Sequence, residues 1–320
     1  MAKPLKLAVL CGGPSSEHEV SLNTAKMILK NLDRKKYTPT LVTIQKDGKW
    51  KFGSAKPIAI GDALSKLGSF DFAFIAMHGV FGEDGRMQAL LEWVGVPYSG
   101  SGVLSSGMAM DKGISNDIFK TIGMKVPRYK VLNRNWPSDK YQFEIPAVVK
   151  PIDGGSSVGV FIAHSENDFQ KAVRKVLAKN ERVMVQQFIK GREFTCGVLE
   201  GSNGIAFALP PTEIIPRSSK FFDYKAKYNV GGSLEVTPAK LSPAMTKAMQ
   251  AMALKAHHAL NCRGMSRSDF LLKGSTFFIL ETNTIPGMTE TSLLPQAARA
   301  AGIDFSAMLD LIIKAGLRRK

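Results

Sequence analysis

The sequence predicts an α/β fold in which an open α/β unit comes first and two mixed α+β regions follow it. Over roughly the first 100 residues, short apolar runs alternate with helical patterns, which is typical of a parallel sheet covered by helices. Later apolar runs follow one another across glycine-containing turns, as in antiparallel hairpins. With 320 residues and 44% hydrophobic content, the chain is long enough for two or three compact domains.

The N-terminal unit is predicted from strand and helix patterns that glycine and proline interrupt. The first strand ends at Gly12 and Gly13, and Ser16 with Glu19 fits a capping box at the start of the helix that follows. In chain order we expect a strand over 5–11, a helix over 20–32, strands over 38–44 and 72–77, and a helix over 86–94.

The remainder of the chain is predicted to mix hairpins with helices. A strand over 148–151 and another ending at residue 162 enclose a glycine-rich turn over 154–159, which predicts a hairpin. The polar stretch 217–233 predicts a loop. We also expect helices over 111–122, 167–179 and 243–260, strands over 182–187 and 193–199, a hairpin over 265–283, and a closing helix.

Composition narrows the classes of function. The 43 basic and 27 acidic residues give a net charge of +16, which suits nucleic acid, anionic membranes or phosphorylated small molecules as partners. The basic residues form no stripe interleaved with aromatic residues, so we expect no nucleic-acid partner. No apolar run fits a signal peptide or a membrane span, so we expect a cytoplasmic protein without a membrane partner. Cys11, Cys196 and Cys262 lack CxxC spacing and are expected to be buried, reduced thiols.

The hairpin over 265–283 is the most informative segment. Side chains alternate between the two faces of a strand. If the turn pairs Asp269 with Glu281, both carboxylates share one face with two further polar side chains, those of Arg267 and Asn283. Such a face suits a hard cation that bridges phosphates. The opposite face is expected to be the core face, with Phe270, Leu272, Phe278 and Leu280. The alternative is a solvated face with an ordinary ion pair, and a register shift of one residue would separate the polar set.

The glycine- and hydroxyl-rich loop over 154–159 offers backbone N–H groups to phosphate oxygens. It is not a Walker A loop, because a strand follows it rather than a helix. Lys150 before the loop and Lys112 upstream could supply positive charge to phosphates, although either lysine alone could equally be solvated surface.

Polar residues also follow two of the N-terminal strands. The segment 12–19 opens a helix at the edge where open α/β sheets bind ligands, but it lacks the GxGxxG pattern of dinucleotide sites. Glu17 has no capping role in this reading and could hold an ammonium group. His78 ends another strand at the same expected edge, where it is either a structural or a ligand-binding residue.

Short motifs occur in order over nearly the whole chain: GG at 12–13 with EHEVS at 17–21, HG at 78–79 with GEDG at 82–85, MDK at 110–112, KP at 150–151 with GSSVG at 155–159, RSD at 267–269 and ETNTIPGMT at 281–289. Together they resemble the D-alanine:D-alanine ligase family of the ATP-grasp superfamily. The resemblance implies an N-terminal substrate-binding domain over 1–110, a central ATP-grasp subdomain over 111–200 and a C-terminal ATP-grasp domain over 201–320. It also implies a homodimer that makes D-alanyl-D-alanine for peptidoglycan precursors.

The same resemblance assigns roles to individual residues. ATP would lie between the central and C-terminal domains, in contact with Lys112, Lys150, Ser156, Ser157, Gln186, Gln187, Ile189 and Glu193. Asp269, Glu281 and Asn283 would hold two Mg²⁺ ions, which Mn²⁺ could replace. The first D-alanine would meet Glu17 and His78, and the oxyanion would meet Arg267 and the Gly287 N–H group. The second D-alanine would meet Lys227, Tyr228, Ser292 and Leu293, with Ser156 and Tyr228 also counted as catalytic and with the loop over 217–233 as a lid.

One position departs from the family pattern, and three rival functions stay open. Gln186 stands where the family usually has glutamate, so adenine would lose a charge-assisted hydrogen bond and nucleotide affinity is expected to be weaker. A ligase that forms an ester with D-lactate is one rival, although such relatives generally lack the pair that Lys227 and Tyr228 form here. The others are a ligase for a different pair of amino acids and a basic nucleic-acid-binding protein.

Overall fold

The computed structural model describes residues 3–135, 143–155, 159–216 and 232–318. An open, mostly parallel sheet forms first, in the strand order β3-β2-β1-β4, with only β3 antiparallel. Its strands are β1 (Leu5–Gly12), β2 (Tyr37–Ile44), β3 (Trp50–Phe52) and β4 (Phe72–Ile75). The helices of this region are α1 (His18–Asn31), α2 (Ile60–Leu67), α3 (Arg86–Trp93) and α4 (Val103–Met110). All of β4 is buried, as expected for a strand with helices on both sides.

A second sheet is antiparallel and has the order β5-β8-β6-β7. It contains β5 (Tyr129–Asn133), β6 (Ala147–Pro151), β7 (Phe161–Ala163) and β8 (Arg182–Gln187). The neighbouring helices are α5 (Lys112–Thr121) and α6 (Glu166–Leu177). The apolar stripe of α6, with Phe169, Val173 and Val176, packs on one face of this sheet. The other face is therefore left for ligands.

A third, antiparallel sheet has the order β12-β11-β9-β13-β14, with β10 paired to β9. Its strands are β9 (Arg192–Glu200), β10 (Ala206–Ala208), β11 (Thr212–Pro216), β12 (Ser233–Val236), β13 (Met265–Lys273) and β14 (Thr276–Asn283). The helix α7 (Pro243–Ala259) packs on it around a core that includes Phe194, Phe270 and Ile279.

The last two helices, α8 (Leu293–Ala300) and α9 (Phe305–Leu317), both pack against β9, and α9 also packs against α1 and β4. Leu294, Met308 and Ile312 belong to the same buried cluster as Leu10 and Phe74. The chain therefore returns to its N-terminal region after it has built the third sheet. The domain boundaries after residues 110 and 200 stay predictions.

Most of the expected elements are present, and the differences lie mainly in short ones. The helices α2, α4 and α8 and the strands β3, β5, β10, β11 and β12 were not expected from the sequence. The predicted capping box is wrong, because the N-cap residue of α1 is Glu17 and its side chain makes no capping bond. The hydroxyl of Ser15 makes the hydrogen bonds at the start of α1 instead. It accepts the Glu17 N–H at 3.1 Å and donates to the His78 carbonyl oxygen at 2.7 Å.

The hairpin of β13 and β14 has the predicted register in its functional half. Asp269 lies opposite Glu281, and Arg267 lies opposite Asn283. The four side chains therefore share one face of the third sheet. This pairing is confirmed, and a slip of one residue is excluded.

The other half of the hairpin differs, because the register shifts directly after Asp269. Phe270 pairs with Ile279, so that Leu280 is the extra residue of a β-bulge. The bulge reverses the alternation of faces, and Phe277 and Ile279 are buried at 7% and 0% exposure. The prediction that Phe278 and Leu280 face the core is wrong for this reason.

The three cysteines are buried and free, as predicted. Burial raises the pKa of the Cys11 thiol to about 11 and the pKa values of Cys196 and Cys262 to about 12, so these thiols stay protonated at neutral pH. In the part of the chain that the structure describes, no helix is both long and apolar enough to cross a membrane.

The packing of α9 on the first sheet predicts the effect of adding one methyl group. A Cβ atom at Gly316 would lie 2.3 Å from the Tyr98 carbonyl oxygen, so Gly316→Ala should cost about 1–3 kcal/mol of unfolding free energy. Gly61 in α2 has nothing within 4 Å, so Gly61→Ala should be neutral or stabilise by up to about 1 kcal/mol. Urea denaturation of both variants checks this, and equal midpoints would contradict the packing.

Candidate active site

Glu17 lies beyond the carboxyl end of β1, and its side chain is buried among backbone segments. A Cβ atom at Gly79 would lie 2.8 Å from Glu17 Oε2, and one at Gly155 would lie 3.0 Å from it. Gly79 also has a φ of +68°, which a residue with a side chain rarely adopts. The backbone therefore approaches the carboxylate closely at both positions, and the φ of Gly79 favours glycine there. Glu17 therefore connects the edge of the first sheet to the glycine-rich loop.

His78 lies at the same edge, between a hydroxyl and a carboxylate. His78 Nε2 is 2.8 Å from Thr24 Oγ1, and His78 Nδ1 is 3.5 Å from Glu83 Oε1. Burial raises the pKa of Glu83, which the nearby Glu17 carboxylate also favours, while the hydrogen bond to His78 opposes the rise. The result is a compact group of two carboxylates and one imidazole, facing the site from the first sheet.

The polar face of the hairpin presents its carboxylates in fixed positions. Thr195 Oγ1 donates to Asp269 Oδ1 at 2.6 Å. The Arg267 guanidinium binds the same carboxylate, with Nε 3.2 Å from Oδ1 and Nη2 3.4 Å from Oδ2. Asn283 Oδ1 accepts the Ile285 N–H at 3.0 Å, which orients the amide and leaves the oxygen a second lone pair.

Arg267 carries its charge in a buried setting, with 13% of its side chain exposed. Burial works to lower the pKa of the guanidinium, but the carboxylates of Asp269, Glu281 and Glu83 outweigh burial and raise it. Arg267 is therefore a permanent cation that faces carboxylates from both the first and the third sheet. A cation fixed in this way is suited to stabilise negative charge that develops between those sheets.

The two lysines expected at phosphates are buried, at 7% exposure for Lys112 and 8% for Lys150. The Lys112 ammonium donates to the Gly154 carbonyl oxygen at 2.5 Å and lies 3.3 Å from Glu281 Oε2. Lys112 therefore joins the start of α5, the glycine-rich loop and the hairpin. The alternative that these lysines are solvated surface residues is excluded.

The predicted site residues that the structure describes line two adjoining cavities. The first, of about 540 Å³, lies between the first and third sheets and is lined by Glu17, His78, Lys112, Arg267, Glu281, Asn283, Gly287, Ser292 and Leu293. The second, of about 420 Å³, lies between the second and third sheets and is lined by Lys112, Lys150, Gln186, Gln187, Ile189, Glu193, Asp269 and Glu281. The cavities share Lys112, Gly154, Gly155 and Glu281, so they meet at the lysine and the glycine-rich loop.

The donor set at this junction fits a magnesium ion. Asp269 and Glu281 supply carboxylate oxygens and Asn283 supplies an amide oxygen, which are the ligands that a hard cation prefers. Within the described ranges, no three His, Cys, Asp or Glu side chains form a metal-binding group. A few protein oxygens, completed by phosphate oxygens and water, are the usual arrangement for Mg²⁺.

Ser292 begins α8, and its hydroxyl is held by the preceding turn. Ser292 Oγ accepts the Thr289 N–H at 2.9 Å and lies 2.8 Å from Thr289 Oγ1. A Cβ atom at Gly287 would lie 3.0 Å from the same hydroxyl, so Gly287 has little room for a side chain. The segment after β14 thus forms one wall of the first cavity.

Several residues of the site were not expected from the sequence. Glu83 and Glu235 line the first cavity, and Thr195 orients Asp269. Glu83 belongs to the GEDG stretch directly after His78, and that stretch was a usable signal. Glu235 follows the polar loop and has no motif of its own. Burial raises the pKa of Glu235, while Gln296, whose Nε2 donates to Glu235 Oε2 at 2.6 Å, opposes the rise.

Four predicted residues lie outside the described residues: Ser156, Ser157, Lys227 and Tyr228. Their predicted roles, and the predicted lid over 217–233 apart from its last two residues, therefore stay predictions. The chain leaves the third sheet at Pro216 and returns at Ser233, and these two residues pair with each other.

Comparison with known proteins covers nearly the whole chain. A family model described as "D-ala D-ala ligase C-terminus" matches residues 118–314, and one described as "D-ala D-ala ligase N-terminus" matches residues 6–66 and 54–101. The chain is 42% identical over 318 residues to the D-alanine–D-alanine ligase of Syntrophobacter fumaroxidans, with 98% of each sequence covered. It is 41% identical over 328 residues to that of Desulfotalea psychrophila, with 99% of this chain and 97% of the relative covered.

The fold is likewise similar to solved structures. A crystal structure of the D-alanine–D-alanine ligase from Bacillus anthracis complexed with ATP aligns with a TM-score of 0.81 at 33% identity. The alignment covers 98% of both chains. Similarity of this extent includes all three sheets.

The buried Glu83 carboxyl predicts a dependence of stability on pH. Because its pKa is raised above the usual 4.5, the folded state holds the proton more tightly, and stability is lost as pH rises through the raised pKa. Glu83→Gln has no such proton. We expect the variant to gain stability relative to the unaltered protein as pH rises above the usual glutamate pKa of 4.5, as measured by urea denaturation. Exposed Glu181→Gln is the control, and the same gain in both variants would contradict the burial effect.

Proposed function

Because the chain belongs to the D-alanine–D-alanine ligase family, we propose that it joins two D-alanine molecules, at the expense of ATP, into D-alanyl-D-alanine for peptidoglycan precursors. The observation that carries this proposal is the junction of the two cavities at Lys112 and Glu281. A nucleotide in the second cavity would bring its terminal phosphate to the place where an amino acid in the first cavity presents its carboxylate. Such a junction is what an acyl-phosphate mechanism requires.

The first chemical step activates a carboxylate, which is a poor electrophile. An oxygen of the first D-alanine attacks the γ-phosphorus, the bond to the β-phosphate oxygen breaks, and ADP leaves. Lys112 and Lys150 are suited to neutralise the charge that gathers as two anions approach. When bound, Mg²⁺ would neutralise negative charge on the phosphates, and the side chains that would hold it are Asp269, Glu281 and Asn283.

Glu17 and His78 are the groups that we propose for holding the first D-alanine. The Glu17 carboxylate is buried at 7% exposure, and an ammonium group would make a charge-assisted hydrogen bond with it. His78 lines the same cavity near the place proposed for the substrate carboxylate. Fixing the amino acid at both ends would aim one carboxylate oxygen at the phosphate.

The second step forms the peptide bond. The deprotonated amine of the second D-alanine attacks the acyl carbon and a tetrahedral oxyanion forms. The carbon–oxygen bond to phosphate then breaks, and the nitrogen gives one proton to the departing phosphate and keeps one hydrogen as the peptide N–H. Arg267 and the Gly287 N–H are the proposed donors to the oxyanion, each worth about 3 kcal/mol in the transition state. Ser292 and Leu293, with Lys227 and Tyr228, are proposed to seat the second D-alanine.

We further propose a homodimer that works in the cytoplasm, where ATP is available. Two large apolar side chains near one another in sequence support a subunit interface: Trp93 of α3 is 87% exposed and Leu104 of α4 is 70% exposed. Apolar groups of this size favour burial against a second copy. Sedimentation of the protein as a single species of monomer mass would contradict the dimer.

Phosphate release and product mass test the reaction itself. With ATP and Mg²⁺, D-alanine alone should release phosphate and yield a product of dipeptide mass, because one amino acid fills both substrate positions. L-alanine should give neither. Adding D-lactate to D-alanine should yield no ester product. If no amino acid stimulates phosphate release, and the protein is retained on DNA in a salt-sensitive way, the results would instead support a basic nucleic-acid-binding protein.

The carboxylates of the hairpin predict a loss of activity without a loss of fold. Asp269→Asn and Glu281→Gln keep the shape of each side chain but remove the charge that the reaction needs, so phosphate release should fall below detection. Exposed Asp62→Asn in α2 is the matched control and should keep full activity. Near-normal turnover in both hairpin variants, measured on protein with an unchanged melting temperature, would rule out the metal role.

A further inference from the structure

Gln186 lies near the end of β8, the strand between β5 and β6 in the second sheet. It pairs with Tyr129 on one side and with Val148 on the other. Its side chain is 3% exposed and lines the second cavity. The α6 helix covers the opposite face of the sheet, so Gln186 projects toward the third sheet. Gln186 is therefore a buried polar group on the wall of the proposed nucleotide site.

The amide nitrogen of this glutamine is unusual. Among the described residues, no acceptor lies within hydrogen-bond distance of Gln186 Nε2, although the atom is fully buried. A buried donor without an acceptor destabilises the folded state. A fold tolerates such a group most readily where a ligand satisfies it. Because Gln186 lines the second cavity, rotation of its amide would let an acceptor on a ligand there satisfy this nitrogen.

The second cavity, which Gln186 lines, has an apolar part as well as charged residues. Side chains from β6, β7 and the third sheet line the cavity next to it: Val148, Ile162, Ile215, Leu271 and Leu280. Two neighbouring backbone donors are already used, since the Gln187 N–H binds the Arg128 carbonyl oxygen at 2.7 Å and the Phe188 N–H binds the Pro146 carbonyl oxygen at 3.3 Å. Such a slot suits a purine ring, and the Gln186 side chain is placed to bond the polar edge of the base.

An amide and a carboxylate recognise a purine edge differently. A carboxylate only accepts hydrogen bonds, so it suits the amino group at position 6 of adenine. An amide both donates and accepts, and half a turn about its last bond exchanges the two atoms with almost no change of shape. It can accept from the amino group of a 6-aminopurine, or donate to the oxygen of a 6-oxopurine.

We propose that Gln186 makes the nucleotide site permissive, so that 6-oxopurine triphosphates such as ITP serve as phosphate donors beside ATP. The inference rests on the proposed function, because it takes the second cavity as the nucleotide site. It concerns only the base edge. The phosphate chemistry at Lys112 and Glu281 is the same for both nucleotides.

The test compares ATP with ITP, which differ only in the hydrogen-bonding groups at positions 6 and 1 of the base. With D-alanine saturating, kcat/KM for ATP should exceed that for ITP by no more than about tenfold, which is about 1.4 kcal/mol. Gln186→Glu should raise this ratio at least about tenfold, chiefly by loss of ITP turnover, because a carboxylate repels the 6-oxygen. Gln45→Glu, the same change at a position outside both cavities, should leave the ratio unaltered.

A second variant keeps the test decisive if a buried glutamate prevents folding. Gln186→Met has nearly the same shape but neither donates nor accepts, so kcat/KM should fall for both nucleotides by a similar factor. Unchanged rates with both would overturn the inference, as would a ratio above tenfold in the unaltered protein or a ratio that Gln186→Glu does not raise. In each of these cases ATP turnover survives. Absence of turnover with ATP itself would instead defeat the proposed function.

Discussion

The pairing of Asp269 with Glu281 across β13 and β14 is the constraint on which the site depends. Side chains on paired strands share a face only in one register, and a shift by one residue would put the two carboxylates on opposite faces of the sheet. The bulge at Leu280 allows this pairing to coexist with a continuous apolar face. It reverses the alternation of side-chain faces next to Glu281. Phe277 and Ile279 therefore face the core, while the carboxylates face the cavities.

Lys112 connects the hairpin to other parts of the molecule. Its ammonium reaches the hairpin through Glu281 and the glycine-rich loop through the Gly154 carbonyl oxygen. The same loop approaches Glu17 at Gly155, and Glu17 belongs to the edge of the first sheet. A short series of contacts thus connects the three sheets. A change in any one of these contacts would therefore affect both cavities, although the residues that make them lie far apart in the chain.

The parts of the site that could be predicted from the sequence are those that local rules determine. Strand alternation gave the polar face of the hairpin, and the edge rule for α/β sheets brought Glu17 and His78 together. The β-bulge could not be predicted, because nothing in the local pattern marks Leu280 as the extra residue. Glu235 was missed because its position depends on the pairing of β12 with β11 after a polar loop. The packing of α9 on the first sheet is likewise a long-range contact that periodicity does not report.

Charge divides the two cavities according to the ligands proposed for them. Among the described residues, the carboxylates that line the first cavity are Glu17, Glu83, Glu235, Glu281 and Glu290, against the cations Lys26, Lys112 and Arg267. The Glu17 and Glu281 carboxylates are suited to bind the ammonium groups of amino acids. The second cavity balances Lys112, Lys150, Lys190 and Arg192 against Glu193, Glu213, Asp269 and Glu281. Its cations suit a polyphosphate and its carboxylates suit the ion that accompanies it. Since Lys112 and Glu281 line both cavities, the Lys112 ammonium lies at the point where the proposed phosphoryl transfer takes place, and it is suited to hold an anionic acyl phosphate there.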